Sequence, residues 1–372
     1  LFENEVFSAM AGDVNLPEAL LVPIPQGGMA MAAPLPVLHE YGPSVRIGLS
    51  AAAVSQAPIN EAGLSEQERL GLQAFRLRLN ASYKEAKENR PHKSSSWGGG
   101  GGRPQLHRDQ HAVIPPAVPV VADPNAVQAA PPARRLAGRI AVGLFIVSGP
   151  GALAMTDAQQ EKIIAEVQNG LSFLGGQAPA KDVTFAYDTQ VVQITTPDTA
   201  GQRPVGRDPY EHFEAPWRDD ALTSIGHPAG LAGIRSYIRA IKTAKRAQVA
   251  YCAFFTHYQL NHFAYCRGEY LVMHYANDGW GTDNLDSVFA HETGHVFGAP
   301  DEYAESGCDC GGSHGVYGRP NLNCENCAEA GGVACIMKRN TWAMCAETPY
   351  HLGYTMPPAG PGVAAAGAAV EA

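Results

Sequence analysis

The sequence predicts an α/β (α+β) chain built on one twisted, mostly parallel sheet, with an irregular half behind it. Strand-like apolar runs alternate with helical periodicities between residues 139 and 297, the order that sets helices against a largely parallel sheet. The pattern then dissolves after Gly298 into a Gly-rich stretch. All eight cysteines lie between Cys252 and Cys345, so any cross-linking belongs to the C-terminal half.

Taken in order, residues 1–60 are rich in Ala, Pro, Gly and Val without a sustained period, and read as extended or irregular. Ser65-Glu66-Gln67-Glu68 is a capping box, after which Leu72, Phe75, Leu79 and Tyr83 line one face of a single helix. Pro91 ends it. Residues 94–102 read as a flexible linker, and a Pro/Ala/Val segment continues to Pro132. A boundary is expected near Arg135, separating an N-terminal region (1–135) from the main domain (136–356). The tail (357–372), almost all Ala, Gly, Pro and Val, reads as disordered. Within the main domain, residues 139–147 form a buried strand and 156–174 a helix with Ile163, Ile164, Val167 and Leu171 inward. Residues 183–194 are a strand, 231–246 an amphipathic helix and 248–256 a strand. Residues 262–275 read as a further strand, or a hairpin through Arg267-Gly268. Residues 285–297 form the last long helix.

The chain has 372 residues, is 45% hydrophobic and 17% charged, and so can bury a sizeable core. Its net charge of -9 argues against a nucleic-acid partner, which needs a basic face. The basic run from Arg235 to Arg246 reads as the solvated side of a helix. No window approaches the roughly 18 apolar residues needed to span a bilayer. The chain starts Leu1-Phe2-Glu3, as expected of a fragment or of a chain whose targeting segment has been removed. The even cysteine count fits four disulfides in a secreted or extracytoplasmic domain. The competing reading makes Cys308-x-Cys310 and Cys324-x-x-Cys327 a thiolate zinc site. Disulfides are preferred, because Cys-x-Cys is a less usual ligand spacing and no second regular pair completes a ribbon.

The chemistry concentrates in residues 291–301, which read H-E-x-x-H-x-x-G-x-x-D. His291 and His295, one turn apart on a helix, point the same way and can share one ion. Glu292 lies beside the first ligand, placed as general base toward a water on that ion. Gly298 can stop the helix at positive φ and Pro300 prevents its resumption, so Asp301 comes round as a third ligand. Three protein ligands with an open fourth position make a catalytic zinc arrangement.

On these residues the chain resembles the metzincin metallopeptidases, with Asp301 where most members have histidine, as in the snapalysin-like minority. The resemblance covers roughly residues 135–354. It implies a backing helix, an active-site helix on the cleft floor, and a Met-containing turn beneath the metal, for which Met337 is the candidate and Met344 the runner-up. It also implies a zinc endopeptidase acting on a protein or peptide substrate. Met273-His274-Tyr275 precedes the zinc helix and so cannot be that turn; it is expected on the edge strand that aligns substrate. No Tyr stands two residues after Met337, leaving Tyr303, Tyr350 or Tyr354 as the oxyanion phenol.

Other candidates are weaker. Asp301-Glu302 with Asp309 and Glu325 offers oxygen ligands for calcium, although loop acids are usually just solvated. Glu302 can alternatively support the zinc ligands or pair with a nearby cation. A Cys335–Cys345 disulfide would brace the Met-turn. His227, His257, His262 and His314 read as surface residues, and Asn80-Ala81-Ser82 as a weak glycosylation acceptor. The cysteine-free N-terminal region suits a pro-segment, an anchor or a partner-binding arm. The alternatives to a peptidase are a non-catalytic metal-binding or structural protein, and a zinc hydrolase of non-peptide amides or esters.

Overall fold

The computed structural model describes residues 18–21, 36–49, 61–98, 134–198 and 208–355. They form an α/β fold around one sheet of eight strands. The strands are β1 (Glu18–Leu21), β2 (Val37–Glu40), β3 (Arg46–Leu49), β4 (Arg139–Ser148), β5 (Thr184–Gln193), β6 (Val249–Thr256), β7 (Ala264–Cys266) and β8 (Tyr270–His274). Their order is β1-β3-β2-β5-β4-β6-β8-β7. The central strands β2, β5, β4, β6 and β8 are parallel, and antiparallel pairings close both edges.

β4 is buried nearly throughout, as a central strand covered on both faces must be. Ile140, Val142, Leu144 and Ile146 face one core, while Ala141, Phe145 and Val147 face another. Over the first face lie α1 (Glu66–Leu79), α2 (Ala81–Glu88), α3 (Asp157–Gln177) and α6 (Leu285–Val296). Over the second lie α4 (Pro209–Ser224) and α5 (Gly230–Ala244). A short α7 (Thr348–His351) ends the C-terminal half, whose backbone is otherwise mostly turns.

Several expectations need correction. The N-terminal stretch read as extended or irregular supplies three strands, β1, β2 and β3, each only four residues long, too short to show a period. The boundary expected near Arg135 thus falls between segments that share one sheet and one core. The single N-terminal helix is two, broken at Asn80, whose side chain accepts the Ser82 N–H at 3.0 Å and restarts the helix as its N-cap. The expected linker is packed where described. Trp97 is fully buried, and residues 94–97 exchange backbone hydrogen bonds with Lys338 and Asn340. Residues 99–102, the segment up to Pro132 and the tail lie outside the described residues. Helix α4 escaped notice because Pro216 and its scattered charges mask the apolar face. Residues 262–275 take the hairpin reading. Met273 and His274 sit on β8, one strand in from the edge, and β7 is the edge.

Candidate metal centre

Helix α6 is buried over almost its whole length, so the motif's side chains are set in protein and not in solvent. Gly298, at φ +92°, turns the chain off the helix. The Gly298 N–H bonds the His295 carbonyl and the Ala299 N–H bonds that of Gly294, each at 3.0 Å. This turn brings the Ala299 carbonyl to 2.8 Å from His295 Nδ1, and the Ile336 carbonyl lies 3.2 Å from His291 Nδ1. A carbonyl can only accept, so both Nδ1 atoms donate and both Nε2 atoms keep their lone pairs.

Those lone pairs meet. The Nε2 atoms lie 3.1 Å apart, and each is 3.2 Å from Asp301 Oδ1. Bonds of about 2.0–2.1 Å at tetrahedral angles separate neighbouring ligand atoms by roughly 3.3 Å. The donor set and its spacing therefore fit one zinc-sized ion. The structure holds the loop in place by the Asp301 carbonyl, which accepts from Asn321 Nδ2 at 2.8 Å. His291 and Asp301 are closed off, whereas the His295 side chain retains 11% exposure, which marks the open side.

The electrostatics follow from burial. For His295, burial disfavours the charged ring, but Asp301 outweighs it and the ring titrates at about 9 while a proton occupies the site. Burial pushes the Glu292 carboxyl up; the two imidazoles and the Cys266 backbone N–H on β7 pull the other way, and Asp301 adds to the rise. Tyr303 is buried with its phenol bonded to the Asp301 carboxylate, and burial and that charge push it far above its ordinary value. Tyr354 points away and donates to the Leu174 carbonyl, while Tyr350 stacks under Arg319. Of the three candidate phenols, Tyr303 is the one beside the cluster.

Met337 is buried against the helix: a Cβ on Gly294 would lie 2.7 Å from its sulfur. Met344 is only half-buried at the margin of the core. Trp97 was missed. Its Nε1–H donates to the Ile336 carbonyl at 2.5 Å, and its ring packs 5.2 Å from that of His291. A large aromatic in a Ser/Gly run was the available signal.

The cysteines form two disulfides among the described residues, Cys308–Cys324 and Cys310–Cys327, so neither the expected four nor a zinc site on these thiols is found. Each bond joins the Cys-x-Cys pair to the Cys-x-x-Cys pair, which the spacing alone left open. Cys252, Cys266, Cys335 and Cys345 keep free thiols, and the Cys335–Cys345 bond is absent. Among the described residues, Asp309 and Glu325 join no three-ligand group with Asp301 or Glu302. Asp309 Oδ1 accepts from the Gly311 N–H at 2.7 Å, Glu325 faces Arg339 and Glu302 turns inward. His227, His257, His262 and His314 are half-buried, and none joins a three-ligand group among the described residues.

No family model matches this sequence, and no curated protein matches it. Among solved structures, the crystal structure of metalloproteinase-II from Bacteroides fragilis is similar at 10% identity. That match covers 77% of this chain and 69% of the other, at a TM-score of 0.29. Function is therefore read from this chain's own side chains.

Proposed function

We propose that this chain is a zinc-dependent endopeptidase. The observation that carries the reading is the convergence of His291 Nε2, His295 Nε2 and Asp301 Oδ1 within 3.2 Å of one another, with the Glu292 carboxylate buried on the same helix. His291, His295 and Asp301 would hold the ion, which when bound supplies Lewis acidity and makes water acidic enough to react at neutral pH. Glu292 takes the proton from the attacking water and delivers it to the leaving amine. Its raised carboxyl pKa suits both roles, since a base matched to the working pH releases its proton readily. Tyr303 is the phenol beside the cluster, and its O–H would turn from the Asp301 carboxylate to donate toward developing oxyanion charge. The edge strand β7 runs past Glu292 and suits an extended peptide, which favours a peptide over a small amide or ester. Two disulfides support a secreted or extracytoplasmic setting.

Metal content and cleavage of an unfolded protein, measured on wild type and Glu292→Ala, test this together. The variant is expected to retain zinc and to lose cleavage by a factor of about 10²–10⁴. Undiminished cleavage in Glu292→Ala sinks the peptidase mechanism. A zinc content equal to that of wild type in a triple His291→Ala, His295→Ala, Asp301→Ala variant sinks the site.

A further inference from the structure

We propose that Glu302, Cys335 and Cys345 hold a second metal ion, a thiophilic divalent cation such as Zn²⁺ with a structural role. Their ligand atoms all lie within 4.8 Å of one another. Glu302 Oε1 accepts from Cys345 Sγ and from Thr348 Oγ1, each at 3.1 Å. Thr348 Oγ1 in turn lies 3.1 Å from Cys345 Sγ and 3.2 Å from Cys335 Sγ. Glu302 and Cys335 are wholly inaccessible, and Cys345 is 4% exposed.

The charge balance is the reason to place a cation there. A fully buried carboxylate without a counter-ion costs several kcal/mol. Among the described residues no Lys, Arg or His forms an ion pair with Glu302. Lys338 and His351 act on Glu302 only from beyond ion-pair distance, and Lys338 gives its ammonium to the Gly331 carbonyl at 2.6 Å. Asn323 Nδ2 occupies Oε2 at 2.6 Å, leaving Oε1 to the two thiols and the hydroxyl. The metal-free form stores protons on both sulfurs. Zinc replaces them: Zn²⁺ and two thiols give a zinc dithiolate and two protons released to solvent.

Sulfur donors select zinc over calcium or magnesium, and closure from solvent, with the Thr348 hydroxyl against all three donors, leaves no open position for a substrate. The four other cysteines of this subdomain are joined in disulfides, whereas Cys335 and Cys345 keep separate sulfurs around Thr348. The location gives the ion a purpose. Glu302 follows the third ligand Asp301, and Cys335 begins the turn that carries Ile336 and Met337. The Glu302 N–H already bonds the Met337 carbonyl at 3.0 Å. One ion would lock the Asp301 loop to the turn beneath the histidines.

The test is zinc stoichiometry in the full chain, stripped with a chelator and re-equilibrated with Zn²⁺ alone. Wild type is expected to bind two ions, and a His291→Ala/His295→Ala variant and a Cys335→Ser/Cys345→Ser variant one each. In the histidine variant, Zn²⁺ should still raise Tm and protect Cys335 and Cys345 from alkylation until chelator is added. Glu302→Gln, which keeps shape and hydrogen bonding, should weaken that protection by an order of magnitude or more even if the serine variant does not fold. One ion in wild type with none in the histidine variant overturns the proposal, as does a Cys335–Cys345 disulfide in mapped peptides. Zinc lost in the cysteine variant but kept in the histidine variant would refute the catalytic centre and leave this one standing.

Discussion

The Ile336 carbonyl receives two buried N–H groups, His291 Nδ1 at 3.2 Å and Trp97 Nε1 at 2.5 Å. Its two lone pairs are then both engaged, so Trp97 fixes the carbonyl that fixes the histidine tautomer. Trp97→Phe keeps the ring packing and deletes only the N–H. Zinc affinity is expected to fall about tenfold, the lower end of what loss of a supporting partner costs. A lowered Tm with unchanged affinity would reduce Trp97 to a packing residue. At this scale the motif was legible because helix geometry dictates where residues i and i+4 point. Asp301 was legible through Gly298, whose positive φ forces the turn. Trp97 and Glu302 were not, because their roles depend on contacts with residues far along the chain. The disulfide pairing was not for the same reason: sequence spacing does not say which sulfurs meet.

Helix α6 shows how an element is held as well as what it carries. Asp286 in its first turn is fully buried and faces Lys87 Nζ at 2.7 Å and Arg90 Nη1 at 3.3 Å. Burial alone would raise its pKa, but Lys87 and Arg90 outweigh that and hold the carboxyl below its ordinary value. A depressed native pKa contributes stability that is fully present above the unfolded value of about 3.9 and is lost as pH falls through the native one. Asp286→Asn is therefore expected to destabilise the neutral protein by about 3–5 kcal/mol, since it strands the buried Arg90, whereas Lys87 keeps Glu166. The gap between the wild-type and variant Tm should narrow below about pH 4. A gap constant down to pH 2 would show that Asp286 is not the titrating group. The helix itself was readable from its period; its anchorage was not, because Lys87 and Arg90 belong to the segment just before the expected linker.

At the scale of the whole molecule, the described N-terminal segments are built into the unit that carries His291, His295 and Asp301. β2 pairs in parallel with β5, and His39 on it bridges Tyr187 and Ser172 at 2.7 and 2.9 Å. Lys87 and Arg90 hold the start of α6, and Trp97 lies under His291. The parallel centre and its helices could be read because long strands and helices repeat their pattern several times. The N-terminal contribution could not, since four-residue strands show no period and pair through backbone groups common to every residue. A removable pro-segment would leave an intact, more active enzyme behind. This arrangement demands the reverse. A chain beginning at residue 134 should lose cooperative unfolding and zinc binding together, because β5 loses β2 from one side and α6 loses its counter-charges. Co-expression of residues 1–98 should restore both, as the contacts that join the pieces are side-chain and sheet contacts needing no covalent link. Full zinc affinity and raised peptidase activity in the shortened chain alone would instead establish the first 133 residues as a pro-segment.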